Sequence, residues 1–418
     1  MSSPARMLGI TVGALAILGI GVYAPAMLLG PLPEVTVRTV AGAAALPESA
    51  PLALPEAGAS ALAVMADDGT ASVLATAGDG EAVPMGGAAK LVTLLATLDS
   101  LPLPAPGEGE GPKIKIGPAD YTDYLRYESE GSRTLRVSPG DSWTERDVAR
   151  AILLTSSNNH ADTLARWAFG SVDAYVEGAN AWLADQGFST MHVADATGLS
   201  GENVGSAEEL AKLAGLVLAD PSLAAMLEHP DEAVLSAHAA PDLVDRTTGD
   251  GVREITRSYT DQAGLSSVFS TEVRVDGSDA SHQVIGVMML MPDYETLDPA
   301  IEASVASVTA AAAPVTVIAE GTAYAKASSA WGASSDVVAT VSRSESPWGA
   351  SIGDATVDVE PFTTSSDARD IGRVTVSTGG DAVSSPLRLT KEIRDPGPIW
   401  RLTHPFPVIG AFIEAQGR

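Results

Sequence analysis

Between Arg6 and Glu34 the chain carries no charged side chain, and residues 7–30 read MLGITVGALAILGIGVYAPAMLLG. Such a run has about the length needed to cross a hydrocarbon core of roughly 30 Å, so residues 1–30 are expected to form a transmembrane signal-anchor. Arg6 precedes it and acidic sequence follows, which by the positive-inside tendency places the bulk of the chain outside the cytoplasm. A cleaved signal peptide is the competing reading, because Ala24-Pro25-Ala26 offers an A-x-A arrangement of small residues. The apolar run exceeds the roughly 7 to 15 residues of a signal core, which favours the uncleaved anchor. Either way the protein is exported.

The remainder is long enough for more than one core, since the chain has 418 residues and single cores rarely grow beyond roughly 250 to 300. With 53 acidic against 25 basic residues the formal charge is -28, which argues against nucleic acid as a partner. The absence of cysteine removes disulfides, thiolate metal sites and cysteine nucleophiles together.

Residues 31–60, rich in Pro, Ala and Glu, read as an extended spacer. A hairpin is expected over residues 61–65 and 71–77, turning at Asp67-Asp68-Gly69. Leu91, Leu94, Leu95 and Leu98 give residues 88–98 the i, i+3, i+4, i+7 spacing of a buried helical face. A second helix, capped by Thr144, runs over residues 144–154 into Thr155-Ser156-Ser157-Asn158-Asn159, and further helices are expected over 161–169, 172–186 and 207–218. Residues 268–291 turn to strands, with 284–291 apolar enough for a central one, and a helix over 298–311 closes the region. Beyond Pro314, short β-prone segments at 315–318, 337–341 and 374–377 predict a small all-β domain over 313–395. The tail, 396–418, holds Trp400, Phe406 and Phe412 and either docks against the body or touches a membrane surface.

Three stretches carry a resemblance. The segment Pro84-Met85-Gly86-Gly87-Ala88-Ala89-Lys90-Leu91-Val92-Thr93 resembles the first motif of the low-molecular-weight penicillin-binding proteins, the serine-type D-alanyl-D-alanine carboxypeptidases, which open a buried helix with Ser-x-x-Lys. Residues three apart share a helix face, so the lysine amine can take the proton of the attacking hydroxyl. Lys90 is present here, and Gly87 occupies the nucleophile position. Ser156-Ser157-Asn158 resembles the second motif, Ser-x-Asn, and Asp195-Ala196-Thr197-Gly198-Leu199-Ser200 with Asn203 resembles the family's D-x-T-G-L-S…N stretch. Residues 251–264 match the flanks of the third motif, but Thr256, Arg257 and Ser258 stand where Lys-Thr-Gly belongs.

The resemblance implies an α+β fold, a β-lactamase/transpeptidase-like domain of helices around an antiparallel sheet over 61–312, ahead of the small β domain. It implies for Ser156 a part in relaying a proton, for Asn158 a contact with the substrate amide, and for residues 256–258 contact with a terminal carboxylate. Arg257 could supply a substitute cation there, or residues 256–258 are simply a polar edge strand. In the family the attacking serine's own backbone N–H helps form the oxyanion hole. With glycine at the nucleophile position, the first reading is a non-hydrolysing protein whose groove holds peptidoglycan stem peptides. The alternatives are an active carboxypeptidase with a displaced nucleophile, Ser156 paired with Lys90, and a purely structural or partner-binding envelope protein. No cofactor is implied: the six histidines include no i, i+4 pair and no H-E-x-x-H, and no Gly-rich nucleotide loop follows a strand. His160 beside Asp162 reads as a helix-surface pair, and Asp195 and Asp261 as loop and turn residues.

Overall fold

The apolar run 284–291 has both faces to bury, and in the computed structural model it does so at the centre of a sheet. That model describes residues 4–40, 50–66, 68–78, 80–246, 251–275, 281–346, 348, 352–378 and 381–416. The chain divides into two units, Ala50–Ala313 and a second made of Met1–Ser49 with Pro314–Arg418.

In the first unit, strand Ser281–Met291 pairs antiparallel with Ala59–Met65 on one side and Gly264–Arg274 on the other. Among the described residues, Ala71–Ala77 and Val252–Thr260 form the two edges of this five-stranded sheet. Gly286 opposes Phe269, and the missing side chain leaves the space that the Phe269 ring fills. Alternate residues sort to two cores, as the period of a strand requires. Val268, Ile285, Val287 and Met289 pack with one set of helices, while Phe269 and Met288 pack with Leu297 and Ile301. Leu297 and Ile301 belong to helix Tyr294–Ala311, which starts at an Asp293 cap, a turn earlier than expected.

The larger core is built around helix Ala89–Ser100, whose residues from Ala89 to Leu98 are all buried. Around it lie Glu145–Thr155, Asn158–Phe169, Val172–Asp185 and Ala207–Ala219. Thr144 caps its helix as expected, and Ser171 and Ser206 cap theirs; each side chain accepts from the backbone amide three residues on. The first hairpin forms as Ala59–Met65 against Ala71–Ala77. Asp68 closes its turn by accepting from the Thr70 amide, and Asp67 lies outside the described residues.

In the second unit, the larger sheet runs in the order Thr36–Thr39, Ala323–Ser328, Ser334–Ala339, Asp381–Leu389, Gly372–Thr378 and Thr356–Val359 among the described residues, and Val315–Ile318 pairs separately with Arg343–Glu345. Thr36–Thr39 falls in the stretch read as an extended spacer. Its Thr-Val-Arg-Thr sequence suits an edge strand, which it forms on Ala323–Ser328. The tail is helical, Gly397–Thr403 and Pro405–Gln416. It packs on the end of the N-terminal helix: Tyr23 donates to the Leu402 carbonyl at 2.6 Å and Arg401 to the Gly30 carbonyl at 2.6 Å. Met7–Leu29 is long and apolar enough to cross a membrane.

Candidate functional site

Helix Ala89–Ser100 is preceded by a tight turn, Gly86–Ala88, so that Gly87 sits one short step from the helix and three residues before Lys90. Gly86 has φ +56, in the left-handed region that glycine adopts without strain. Lys90 is only 5% exposed, and its Nζ donates to the Thr197 carbonyl at 2.6 Å. Burial pushes the Lys90 amine down from its ordinary 10.5 to about 7, against the pull of the Asp195 carboxylate and with the push of the Arg133 cation. A lysine so placed is substantially neutral near pH 7 and can accept a proton.

The loop that receives this lysine is organised by Asp195. One carboxylate oxygen accepts from the Thr197 and Gly198 amides at 2.7 and 2.6 Å, and the other from the Ser200 amide at 2.8 Å. Asp195 is thus the loop residue that the sequence suggests. Asn203 closes the same loop by accepting from the Ala194 amide and donating to the Ser200 carbonyl. Thr93, one turn beyond Lys90, donates to the Ala196 carbonyl at 2.9 Å and ties the loop to the helix. Gly198 has φ +81, and a Cβ there would overlap the Gly86 carbonyl oxygen, so only glycine lets the loop lie this close.

Ser156 ends helix Glu145–Thr155 in the left-handed conformation, φ 55 and ψ 39, which is costly for a residue with a Cβ. That turn brings its Oγ to 3.5 Å from where a Cβ on Gly87 would stand. Two residues on, Asn158 opens the next helix, and its Oδ1 is buried with no partner among the described residues. His160 departs from expectation. It is fully buried rather than on the surface, with Nδ1 at 2.8 Å from Ser157 Oγ and its ring 4.2 Å from that of Trp143. Burial pushes its pKa down to about 3, so it is neutral. Asp162 accepts instead from Tyr127 at 2.7 Å.

The third stretch lies on the edge strand Val252–Thr260, with a bulge between Glu254 and Thr256. Ser258 faces Gly87 and accepts a hydrogen bond from its backbone N–H at 2.9 Å. A Cβ on Gly87 would stand 2.8 Å from the Ser258 Cβ and 3.0 Å from its Oγ. The side chain absent at position 87 and the side chain added at 258 therefore occupy complementary space. Thr256 and Arg257 are buried and are not among the groove-lining residues. Of the two readings of residues 256–258, a substitute cation from Arg257 fits these contacts less well: its guanidinium donates to Glu254 at 2.9 Å and Asp298 at 2.7 Å and stacks over Tyr294.

Gly87, Lys90, Ser156, Asn158 and Ser258 thus line one groove of about 190 Å³, together with Thr197, Leu199, Tyr259, Thr260 and residues 131–133. Residues 131–133 carry no motif, and nothing in their spacing or composition singles out Arg133. Among the described residues no cluster of three or more His, Asp or Glu could hold a metal ion.

Comparison with known proteins accords with this arrangement. A family model described as D-alanyl-D-alanine carboxypeptidase, peptidase S11, matches residues 49–275. A D-alanyl-D-alanine endopeptidase of Pseudomonas aeruginosa is 27% identical over 235 residues, covering 54% of this chain and 72% of the relative. The crystal structure of penicillin binding protein 6B from Escherichia coli superposes with a TM-score of 0.54 at 17% identity, over 83% of this chain and 98% of that one. Penicillin binding protein 5 from Haemophilus influenzae gives a TM-score of 0.49 at 14% identity over 82% and 98%. The α+β fold is that of the penicillin-binding proteins, and with the family model spanning more than half of its length the chain belongs to the D-alanyl-D-alanine carboxypeptidase family.

Proposed function

We propose that this protein is a membrane-tethered, extracytoplasmic member of its family that grips the D-Ala-D-Ala end of peptidoglycan stem peptides without cleaving it. The observation that carries this reading is the hydroxyl of Ser258 on the Gly87 amide. In the family the acyl-enzyme forms on the serine oxygen at position 87, and glycine has none to offer. The backbone N–H there, which in the family polarises the scissile carbonyl, is already taken. In a comparable serine hydrolase, loss of one member of the catalytic set leaves only about 10³ to 10⁴ over water. Binding needs none of these groups to react. The free Oδ1 of Asn158 supports it, since a buried acceptor without a partner gains from a ligand amide N–H.

A displaced nucleophile is the second reading, and the position of Ser156 favours it, 3.5 Å from the empty Cβ site of Gly87. Against it stands the geometry of attack, because a carbonyl placed for Ser156 would miss an oxyanion hole built at residue 87. Penicillin labelling decides between the two. The purified full chain in detergent, incubated with a fluorescent penicillin, is expected to gain no covalent adduct in its mass spectrum. An adduct that vanishes in Ser156→Ala would replace the first reading with the second. Titration calorimetry with an acyl-D-Ala-D-Ala peptide then tests gripping itself: no saturation at millimolar peptide would leave a purely structural or partner-binding role.

A further inference from the structure

The groove is lined by basic but not acidic side chains, in a chain whose formal charge is -28. Its lining includes two cationic residues, Lys90 and Arg133, and no Asp or Glu. Lys90 is committed to the Thr197 carbonyl and titrates near neutrality, so the permanent charge facing the groove belongs to Arg133.

Arg133 is held in place from both ends. Its carbonyl accepts from the Asn158 amide at 2.9 Å, and two residues on, the Leu135 amide donates to Ser157 Oγ and Asn159 Oδ1, both at 3.2 Å. The Asn159 side chain returns a bond to the Leu135 carbonyl at 3.0 Å. At the far end, Arg133 Nη1 donates to the Arg257 carbonyl at 3.0 Å, on the edge strand. This segment therefore bridges the second stretch and the third. Among the described residues Arg133 forms no ion pair, whereas Arg257 has two carboxylates. A half-buried guanidinium with spare N–H groups and no carboxylate in ion-pair contact is a site for a planar anion.

Resting on the reading of the groove given above, we infer that Arg133 is the carboxylate-binding residue of this protein. It takes the terminal carboxylate of the stem peptide, the place at which Thr256 offers no charge, while Asn158 Oδ1 accepts from the peptide amide. The peptide's C-terminal charge, more than its side chains, then selects it.

The test is titration of the full chain in detergent with an acyl-D-Ala-D-Ala peptide as free acid and as C-terminal amide. The acid is expected to bind roughly 10- to 100-fold more tightly than the amide, the range of a charge-assisted hydrogen bond. Arg133→Ala should remove that preference, so that acid and amide bind alike, and Arg133→Lys should keep part of it. If the variant loses acid and amide alike, the groove has been distorted, and Arg133→Gln decides: it keeps a donor for the Arg257 carbonyl and must still lose the preference. A preference that survives Arg133→Gln or Arg133→Ala overturns the assignment while leaving peptide binding intact. Equal binding of acid and amide by the unaltered protein overturns it too. Failure of both peptides to bind defeats the proposed function, and the assignment goes with it.

Discussion

The two walls of the groove have been treated differently. One wall, helix Ala89–Ser100 with the loop around Asp195, holds Lys90, Asp195, Thr197, Gly198 and Asn203 in the family's pattern, interlocked by hydrogen bonds and by a glycine contact that admits no side chain. The other wall, edge strand Val252–Thr260, departs from the pattern at three consecutive residues, and each has a new place inside the fold. Arg257 pairs with the buried Glu254 and the part-exposed Asp298, Ser258 fills the space beside Gly87, and Thr256 is buried. The difference teaches that the third stretch is not eroded sequence on a solvent-facing edge. It is an internally bonded element, while the first wall keeps a buried lysine three residues from a position that has no side chain of its own.

The largest expected effect tests that internal bonding. Glu254 is 0% exposed and takes three bonds, from Arg257 at 2.9 Å, Ser267 at 2.8 Å and the Arg246 amide at 3.0 Å. Breaking a buried pair by removing one partner costs about 3 to 5 kcal/mol, because the other charge is left without compensation. Glu254→Ala should fall near the low end, about 3 kcal/mol, since Asp298 remains beside Arg257. Chemical denaturation of the full chain measures it. A loss below about 0.5 kcal/mol, the scale of an ordinary surface change, would return the edge strand to being a polar edge.

The first wall gives an effect of comparable size with a definite sign in pH. The folded state holds Lys90 at about 7 against its ordinary 10.5, so between these values the unfolded chain binds more protons at this site than the folded one. Stability contributed by Lys90 therefore rises with pH across the window, by up to about 1.4 kcal/mol per pH unit. It is fully lost below pH 7, where the buried amine must carry its charge. Subtracting a Lys90→Met variant cancels the other groups. The difference in unfolding free energy between the two proteins should change by several kcal/mol from pH 7 to 10, and a flat difference would mean that Lys90 is charged and solvated.

What the sequence made legible divides along the same line. Elements encoded by local period and caps came through: the leucine spacing over 88–98, the Thr144 cap and the apolar strand 284–291 all stand where expected. So did the convergence of Gly87, Lys90, Ser156 and Asn158, because the family's motifs carry it. What stayed hidden depends on pairs far apart in the chain. Ser258 meets Gly87 across 171 residues and Arg257 meets Asp298 across 41, and no spacing announces either. Arg133 was missed for the same reason, as its role is set by the two stretches it bridges. His160 was misplaced because an apparent helix-surface pair gave no sign of Trp143 behind it.

The smallest expected effect cuts most directly between the walls. Placing a side chain at 87 forces atoms to within 2.8 Å of Ser258 Cβ, and the neighbour on a paired strand cannot swing away as a long side chain would. Overpacking of this kind costs about 1 to 3 kcal/mol, so Gly87→Ser should lower stability by that amount and gain no penicillin adduct. Ser258→Gly frees the same volume and releases the Gly87 amide. In Gly87→Ser combined with Ser258→Gly the two changes should couple favourably by about 1 to 2 kcal/mol, within the range seen for residues in contact. A double variant as unstable as the sum of its parts would show that the two positions do not share space. Complementarity would then be no more than coincidence of neighbours. If the coupling appears but labelling does not, adding Thr256→Lys asks whether a cation on the edge strand is what labelling still requires.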